Sequence, residues 1–303
     1  MYAPVRGDSM APPDGERMMH MHIFGPGYTA SRIAAALRRR GWRVTATRRT
    51  AAAGDSGIAD DDAVAAALAS ATHILSSVPP GRNGSDPVLS RHGKAIARAP
   101  ARWCGYLSST GVYGDTGGAW VDESAALGGG RRSARMEADR AWAALRGDAR
   151  VFRLPGIYGP GRSALDRVRA GTAHRIDLPE QVFSRIHVDD IVSGVLAAID
   201  GGPPGAYNLA DDRPASQNAV IETACALIGV PPPPLVPLDS AELSPAARGF
   251  YAENRRVANG RARRLLGWAP AYPDYRAGLR ALNAMTSPNS VSAPPAAASH
   301  VQR

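Results

Sequence analysis

The segment His20-Met21-His22-Ile23-Phe24-Gly25-Pro26-Gly27-Tyr28-Thr29-Ala30 constrains the fold of this chain more than any other. A short apolar run meets a glycine turn, and the turn opens into 28–40, where Ile33 and Leu37 stand at helical spacing. The turn has the form G-x-G-x-x-A. The first glycine allows a tight bend and the second lets backbone come close to a pyrophosphate. The small Ala30 lets helix pack closely on strand. A pyrophosphate there would lie on the N–H groups that begin the helix. Gly25, Gly27, Tyr28, Thr29 and Ala30 are therefore candidate cofactor-binding residues. Val78 and Pro155, each at the close of a later strand-like run, join them.

The remaining pattern supports that context. Strands are expected over 20–24, 43–47, 73–78, 103–108 and 150–154, and helices over 28–40, 60–70, 86–98 and 132–146. The aspartates at 60–62 suit a helix N-terminus. Strand alternating with helix in this order is the signature of a parallel, doubly wound α/β sheet, here a Rossmann core over 19–180. Beyond it a smaller α/β substrate lobe, 181–285, is expected to interleave with the core. Its elements are a strand over 182–186, a helix over 189–199, a short strand over 207–209, a helix over 215–228 ending before Gly229 and four prolines, and closing helices over 259–266 and 273–282. No internal repeat is present.

The second strand selects the cofactor. A site for NAD commonly ends it with an acid that holds the ribose 2′-hydroxyl. Here the sequence is Thr47-Arg48-Arg49-Thr50, with no acid before Asp55. A guanidinium suits a 2′-phosphate, so Arg48 and Arg49 point to NADP, with NAD as the alternative.

Composition narrows the function classes. Hydrophobic residues make up 44% of the 303, enough for a sizeable core. No apolar run approaches the roughly 20 residues of a membrane span. Stretches 1–18 and 286–303 are rich in Pro, Ser, Ala or charge and are expected to be disordered, with Met18, Met19 or Met21 as alternative starts. Residues 1–17 hold no apolar segment of the secretory kind. Two cysteines, Cys104 and Cys225, build no disulfide framework and fit a reducing, cytoplasmic setting. The net charge of +9 comes from scattered arginines; Lys94 is the sole lysine. No basic block interleaves with aromatics, so nucleic acid is not an expected partner. No Cys/His spacing suggests a metal. A small-molecule substrate is expected, with the chain a monomer or homodimer.

Four stretches together carry a family resemblance: the glycine turn; Tyr106-Leu107-Ser108-Ser109-Thr110-Gly111-Val112-Tyr113-Gly114-Asp115; Arg153-Leu154-Pro155-Gly156-Ile157-Tyr158-Gly159-Pro160-Gly161-Arg162; and Arg185-Ile186-His187-Val188-Asp189-Asp190-Ile191. Over about 20–283 the chain resembles an extended or atypical short-chain dehydrogenase/reductase of the NAD-dependent epimerase/dehydratase type, and more narrowly the YeeZ-like subgroup. Leu266-Gly267-Trp268 also matches the C-terminal lobe of these enzymes. The resemblance implies that Ser109 hydrogen-bonds a substrate hydroxyl or carbonyl oxygen. Arg185 would face an anionic group of the substrate, such as the diphosphate of a sugar nucleotide.

One departure matters. The family uses a tyrosine followed four residues later by lysine, and Lys94 has Ser90 at that spacing. Anchoring on the acid that follows the family lysine, Asp139 here, puts Arg135 at the lysine position and Arg131 at the tyrosine position. Arginine binds hydroxyls and oxyanions but cannot shuttle a proton near neutral pH. Tyr113, Tyr158 and Tyr251, the last with Arg255 one helical turn on, are weighed as substitutes, and packing is the better account of each. Asp122 and Glu123 could place a carboxylate at the cleft rim. At 185–190 the aspartates are expected to cap a helix, with His187 structural. The sequence leaves two readings open: an NADP-dependent oxidoreductase or epimerase, acting on a nucleotide sugar or a carbonyl, and a redox-silent NADP-binding regulatory protein.

Overall fold

A computed structural model describes residues 18–51, 54–81, 83–128, 133–241, 243 and 245–286. The expected tails at 1–18 and 286–303 lie outside these residues except for Met18 and Thr286. The main sheet is built from β1 (His20–Phe24), β2 (Arg43–Arg48), β3 (Ser56–Gly57), β4 (His73–Ser76), β5 (Trp103–Ser109), β7 (Ala149–Leu154) and β11 (Gly205–Asn208). Short strands β6 (Trp120–Val121), β8 (Gly156–Tyr158), β9 (Arg175–Ile176), β10 (Arg185–His187), β12 (Leu235–Val236) and β13 (Arg256–Val257) pair outside it. The helices are α1 (Tyr28–Arg39), α2 (Asp61–Ser70), α3 (Pro87–Arg98), α4 (Ser133–Leu145), α5 (Ala164–Arg169), α6 (Val188–Asp200), α7 (Gln217–Ile228), α8 (Pro245–Phe250), α9 (Gly260–Leu266) and α10 (Tyr275–Thr286).

The main sheet runs β11-β7-β5-β4-β1-β2-β3, every neighbour parallel. This is the expected doubly wound Rossmann architecture. Parallel strands need both faces covered, and two apolar clusters do this. On one face Ile33 and Leu37 of α1 and Ile191, Val195 and Leu196 of α6 pack with Met21, Ile23 and Phe152. On the other, Val64 and Leu68 of α2, Val88 and Ile96 of α3 and Trp142 of α4 pack with Phe24, Ile74 and Tyr106. After β7 the chain builds a third cluster from Leu165, Val220, Ile221, Tyr275 and Leu279 of α5, α7 and α10.

Helix starts follow local chemistry. The Asp60 side chain accepts from the N–H of Ala63, and Asp86 accepts from Val88 and Leu89 with Pro87 opening α3. Ser163 and Asp166 form a reciprocal capping box on α5. Helix α1 differs: its cap is Gly27, with no side chain to satisfy the first N–H groups. Two expectations are corrected. The segment from 182 does not enter a strand at once. Phe183 bridges Ala215 and Arg255, and only Arg185–His187 pairs with β8. The helix after β10 is capped by His187, whose Nδ1 accepts from the N–H of Asp189 at 3.2 Å. Asp190, expected at the cap, is buried instead and accepts from the N–H groups of Ala271 (2.7 Å) and Tyr272 (3.1 Å).

Buried imidazoles give the fold a pH signature. His22 lies within the sheet between Thr45 and Thr47 hydroxyls, and His73 packs against Trp42. Burial lowers each to about 4. An unfolded histidine titrates near 6.5, so as pH falls the unfolded chain takes up protons first. Their contribution to stability is complete above pH 6.5 and is lost between there and pH 4, at about 2 kcal/mol per histidine by pH 5. Urea unfolding at pH 7.5 and pH 5.0 measures this loss. The variant His73→Phe should lose about 2 kcal/mol less than the parent, and an unchanged difference between the two pH values would refute the assignment.

Candidate functional site

The C-terminal ends of the sheet strands open onto a cavity of about 870 Å³. In open α/β sheets ligands bind at these ends. Gly27, Tyr28 and Thr29 form one edge, Ser109, Arg135 and Pro155 the centre, and Arg162, Arg167 and Arg185 the lobe side. Seven of the candidates named from sequence, Gly27, Tyr28, Thr29, Ser109, Arg135, Pro155 and Arg185, therefore meet in one space.

The glycine turn is shaped by what surrounds it. Gly25 has φ +73°, and a Cβ there would stand 2.6 Å from Cγ2 of Val78, which packs on the turn. A Cβ at Gly27 would meet protein only at 4.0 Å, the carbonyl oxygen of Gly25. The chain itself thus does not require glycine at 27, whereas a ligand lying on the helix end would. Ala30 is fully buried against the sheet. Together with the uncapped start of α1 these features fit a dinucleotide pyrophosphate. Tyr28 does more than supply an amide. Its hydroxyl donates to the Pro160 carbonyl at 3.1 Å, and the Arg32 and Arg162 guanidiniums lie over its ring, so it ties α1 to the strand that leads into the lobe.

Arg48 and Arg49 stand at the end of β2, beside the turn, since Phe24 is in register with Thr47. Both are exposed. Arg48 forms an ion pair with Asp55. Arg49 has no ion-pair partner among the described residues.

At the centre, Ser109 ends β5 and its hydroxyl accepts from the N–H of Gly111 at 3.1 Å. Arg135, on α4, donates to the Tyr106 hydroxyl at 3.0 Å. Burial pushes Tyr106 up to about 12, so it stays a neutral phenol. One turn along α4, Asp139 forms a buried pair with Arg153 of β7 (2.9 Å) and accepts from the Ser108 hydroxyl (2.7 Å). This pair fixes the register of α4 against β5 and β7, and with it the placement of Arg135, Ser109 and Pro155. Arg131 lies outside the described residues.

The tyrosine substitutes resolve into packing. Tyr113 is buried, donates to Asn208 Oδ1 and accepts from Arg153. Burial, with the charges of Asp211 and Asp190 beside it, holds Tyr158 far above the usual phenol range. Tyr251 lines the cavity, but α8 ends at Phe250, so the helical spacing expected between Tyr251 and Arg255 does not exist. Arg255 binds the Gly114 carbonyl and Glu253 instead. Of the rim acids, Asp122 accepts from Ser124, and Glu123 is held by the N–H of Asn208 at 2.6 Å; neither lines the cavity.

Several cavity residues carry no role in the sequence reading: Arg167, His174, Phe183, Gln217 and Phe250. Arg162 closes a quoted motif, yet nothing in the motif marks it as facing the cleft. Among the described residues no three His, Cys, Asp or Glu side chains gather as a metal-ligand set, and no helix is long and apolar enough to cross a membrane.

No family model matches the chain. It is similar to the solved structure of a functionally unknown conserved protein from Silicibacter pomeroyi, 42% identical over 88% of this chain and 99% of that one, with a TM-score of 0.78. It is 36% identical over 143 residues to a Streptomyces protein named 3-diazoavenalumate denitrifying reductase. That match spans 43% of this chain and 45% of the reductase. In fold it is similar to MoeE5, solved with UDP-glucuronic acid and NAD, at 19% identity, 88% and 98% coverage and a TM-score of 0.70. It is equally similar to a human epimerase family protein solved with NADPH, at 19% identity, 88% and 99% coverage and the same TM-score.

The buried pair is the element of the site most open to test by stability. Removing one member of such a pair strands the other charge and costs about 3–5 kcal/mol. Asp139→Ala should lower the unfolding free energy by about that amount in urea titration. Asp139→Asn, which keeps an acceptor for Ser108, should lose less. Equal and small losses would show that α4 is held by other contacts.

Proposed function

We propose that the chain is an NADP-dependent oxidoreductase of the short-chain dehydrogenase/reductase type, in the NAD-dependent epimerase/dehydratase branch. The observation that carries this reading is the single cavity shared by the uncapped start of α1 and the Ser109–Arg135 pair. Gly25, Gly27 and the first amides of α1 would hold the pyrophosphate, with Pro155 lining the cavity and Val78 packed behind the turn. When bound, the dinucleotide would supply hydride chemistry at the strand ends. The Streptomyces relative is named as a reductase, which favours reduction over epimerisation.

The chain's own groups define the rest. Ser109 would hydrogen-bond the substrate oxygen and Arg135 would stabilise charge building on it. Preorganised donors of this kind act strongly in a site walled off from water. Arg135, like Arg131 where the family has tyrosine, stays protonated, so neither delivers a proton. The proton would therefore come from solvent water. At the cofactor's far end Asp55 engages Arg48, which leaves Arg49 as the guanidinium best able to meet a 2′-phosphate.

Two measurements test this. NADPH fluorescence titration should give saturable binding. Arg49→Ala should weaken NADPH by about tenfold while changing NADH far less; equal losses would reject the 2′-phosphate role. With carbonyl and sugar-nucleotide substrates, Ser109→Ala should reduce turnover on the order of 100-fold. Tight NADPH binding with no turnover across the panel would favour the redox-silent reading, which the missing tyrosine and lysine support.

A further inference from the structure

Beyond Ser109 the cavity changes character. Five arginines line it, Arg135, Arg162, Arg167, Arg185 and Arg255, against one carboxylate, Glu253. Arg255 is paired with that glutamate at 2.8 Å. Arg135 is engaged at Tyr106, and Arg162 lies over the Tyr28 ring. Arg167 and Arg185 remain, with no ion pair to either among the described residues.

Arg185 is more than nine-tenths buried. Two of its five N–H donors go from Nη1 to the carbonyls of Phe183 (2.8 Å) and Ala215 (2.7 Å), and a third goes from Nη2 to Gln217 Oε1 (3.2 Å). Two donors, on Nε and Nη2, are left, the number that one planar oxyanion group takes up. Burial lowers Arg185 to about 10, the net of the burial itself, the Asp211 carboxylate, which raises it, and the Arg167 guanidinium, which lowers it. Both guanidiniums line the same cavity.

The surface next to these charges is aromatic and aliphatic. The Phe183 ring sits 5.6 Å from Tyr251, edge to face, and 6.1 Å from Phe250, whose side is half exposed. Val220, Ile221 and Leu279 complete the wall. Sugar hydroxyls laid on such a wall would lose water without gaining partners. A flat apolar ring would instead bury its faces there.

We propose that the lobe side of the cavity binds an aromatic carboxylate, its acid group on Arg167 and Arg185 and its ring on Phe183, Tyr251 and Phe250. This names the substrate class and rests on the cleft being an oxidoreductase site. The group to be reduced then projects toward Ser109.

Calorimetric titration of the full chain, with and without NADPH, tests it. Cinnamate is the probe, with cinnamamide and UDP-glucose as comparisons. Cinnamate should bind at least tenfold more tightly than cinnamamide, and UDP-glucose more weakly than cinnamate. Arg167→Gln, at an exposed position, should weaken cinnamate about tenfold. Phe250→Ser should weaken it severalfold. Both variants should keep the parent's NADPH affinity. Equal binding of acid and amide, tighter binding of UDP-glucose, or an unchanged affinity in Arg167→Gln would overturn the proposal. Failure to bind NADPH while cinnamate binds would instead remove the oxidoreductase reading.

Discussion

The Asp139–Arg153 pair holds the centre of this molecule together. It joins α4 to β7 on one face of the sheet where neither charge meets water, and Ser108 and Tyr113 hydrogen-bond to it. Buried pairs are often no more stabilising than apolar residues of the same volume, and their best-attested use is to fix register. Register is what the cleft needs here. Arg135 is one turn from Asp139, Ser109 follows Ser108, and Pro155 comes two residues after Arg153. A rotation of α4 about its axis would break the pair before it misplaced Arg135.

Electrostatics then runs in one direction across the cleft. The open N-terminus of α1 carries partial positive charge on its amides, and among the described residues four of the five cavity arginines form no ion pair. A cleft with this field attracts anions from both ends. The phosphates of a dinucleotide suit the glycine turn, and an acid group suits the lobe. Tyr28 connects these halves, because the same side chain touches the Pro160 carbonyl and packs under Arg32 and Arg162.

Much of the fold was legible because its signals are local. The glycine turn, the period of α1 and the apolar runs of β1, β4 and β5 each lie within a dozen residues, and Asp60 and Asp86 mark the helices they cap. The site divides differently. Ser109 and Arg135 are found through motifs at fixed spacing. Phe183, Arg167, Gln217 and Phe250 come from four separate segments that only the folded lobe brings together, so no spacing could reveal them. The aspartate pair at 189–190 misleads for a related reason. An aspartate pair after a strand is a good cap signal, but Asp190 turns inward to bind two backbone amides some 80 residues further on. Tyr251 and Arg255 show the reverse error: a helical spacing with no helix beneath it, since the chain bends away after Phe250 to bridge β6 through β13.

The exchange of tyrosine and lysine for arginine has a consequence for the kind of chemistry such a cleft suits. A phenol poised by lysine couples hydride movement to a proton and imprints its own titration on the rate. Arginine stays protonated near neutral pH. It stabilises negative charge as that charge forms but has no proton to give. Hydride acceptors that need prior protonation are poorly served by that arrangement. Acceptors already electron-poor, whose product anion can wait for water, are well served. On the proposed reading, an acid group held at Arg185 would leave such an acceptor free to be positioned by its ring. The absence of a tyrosine–lysine pair and an anionic anchor in the lobe go together on that reading, with binding charge concentrated at the substrate's unreactive end.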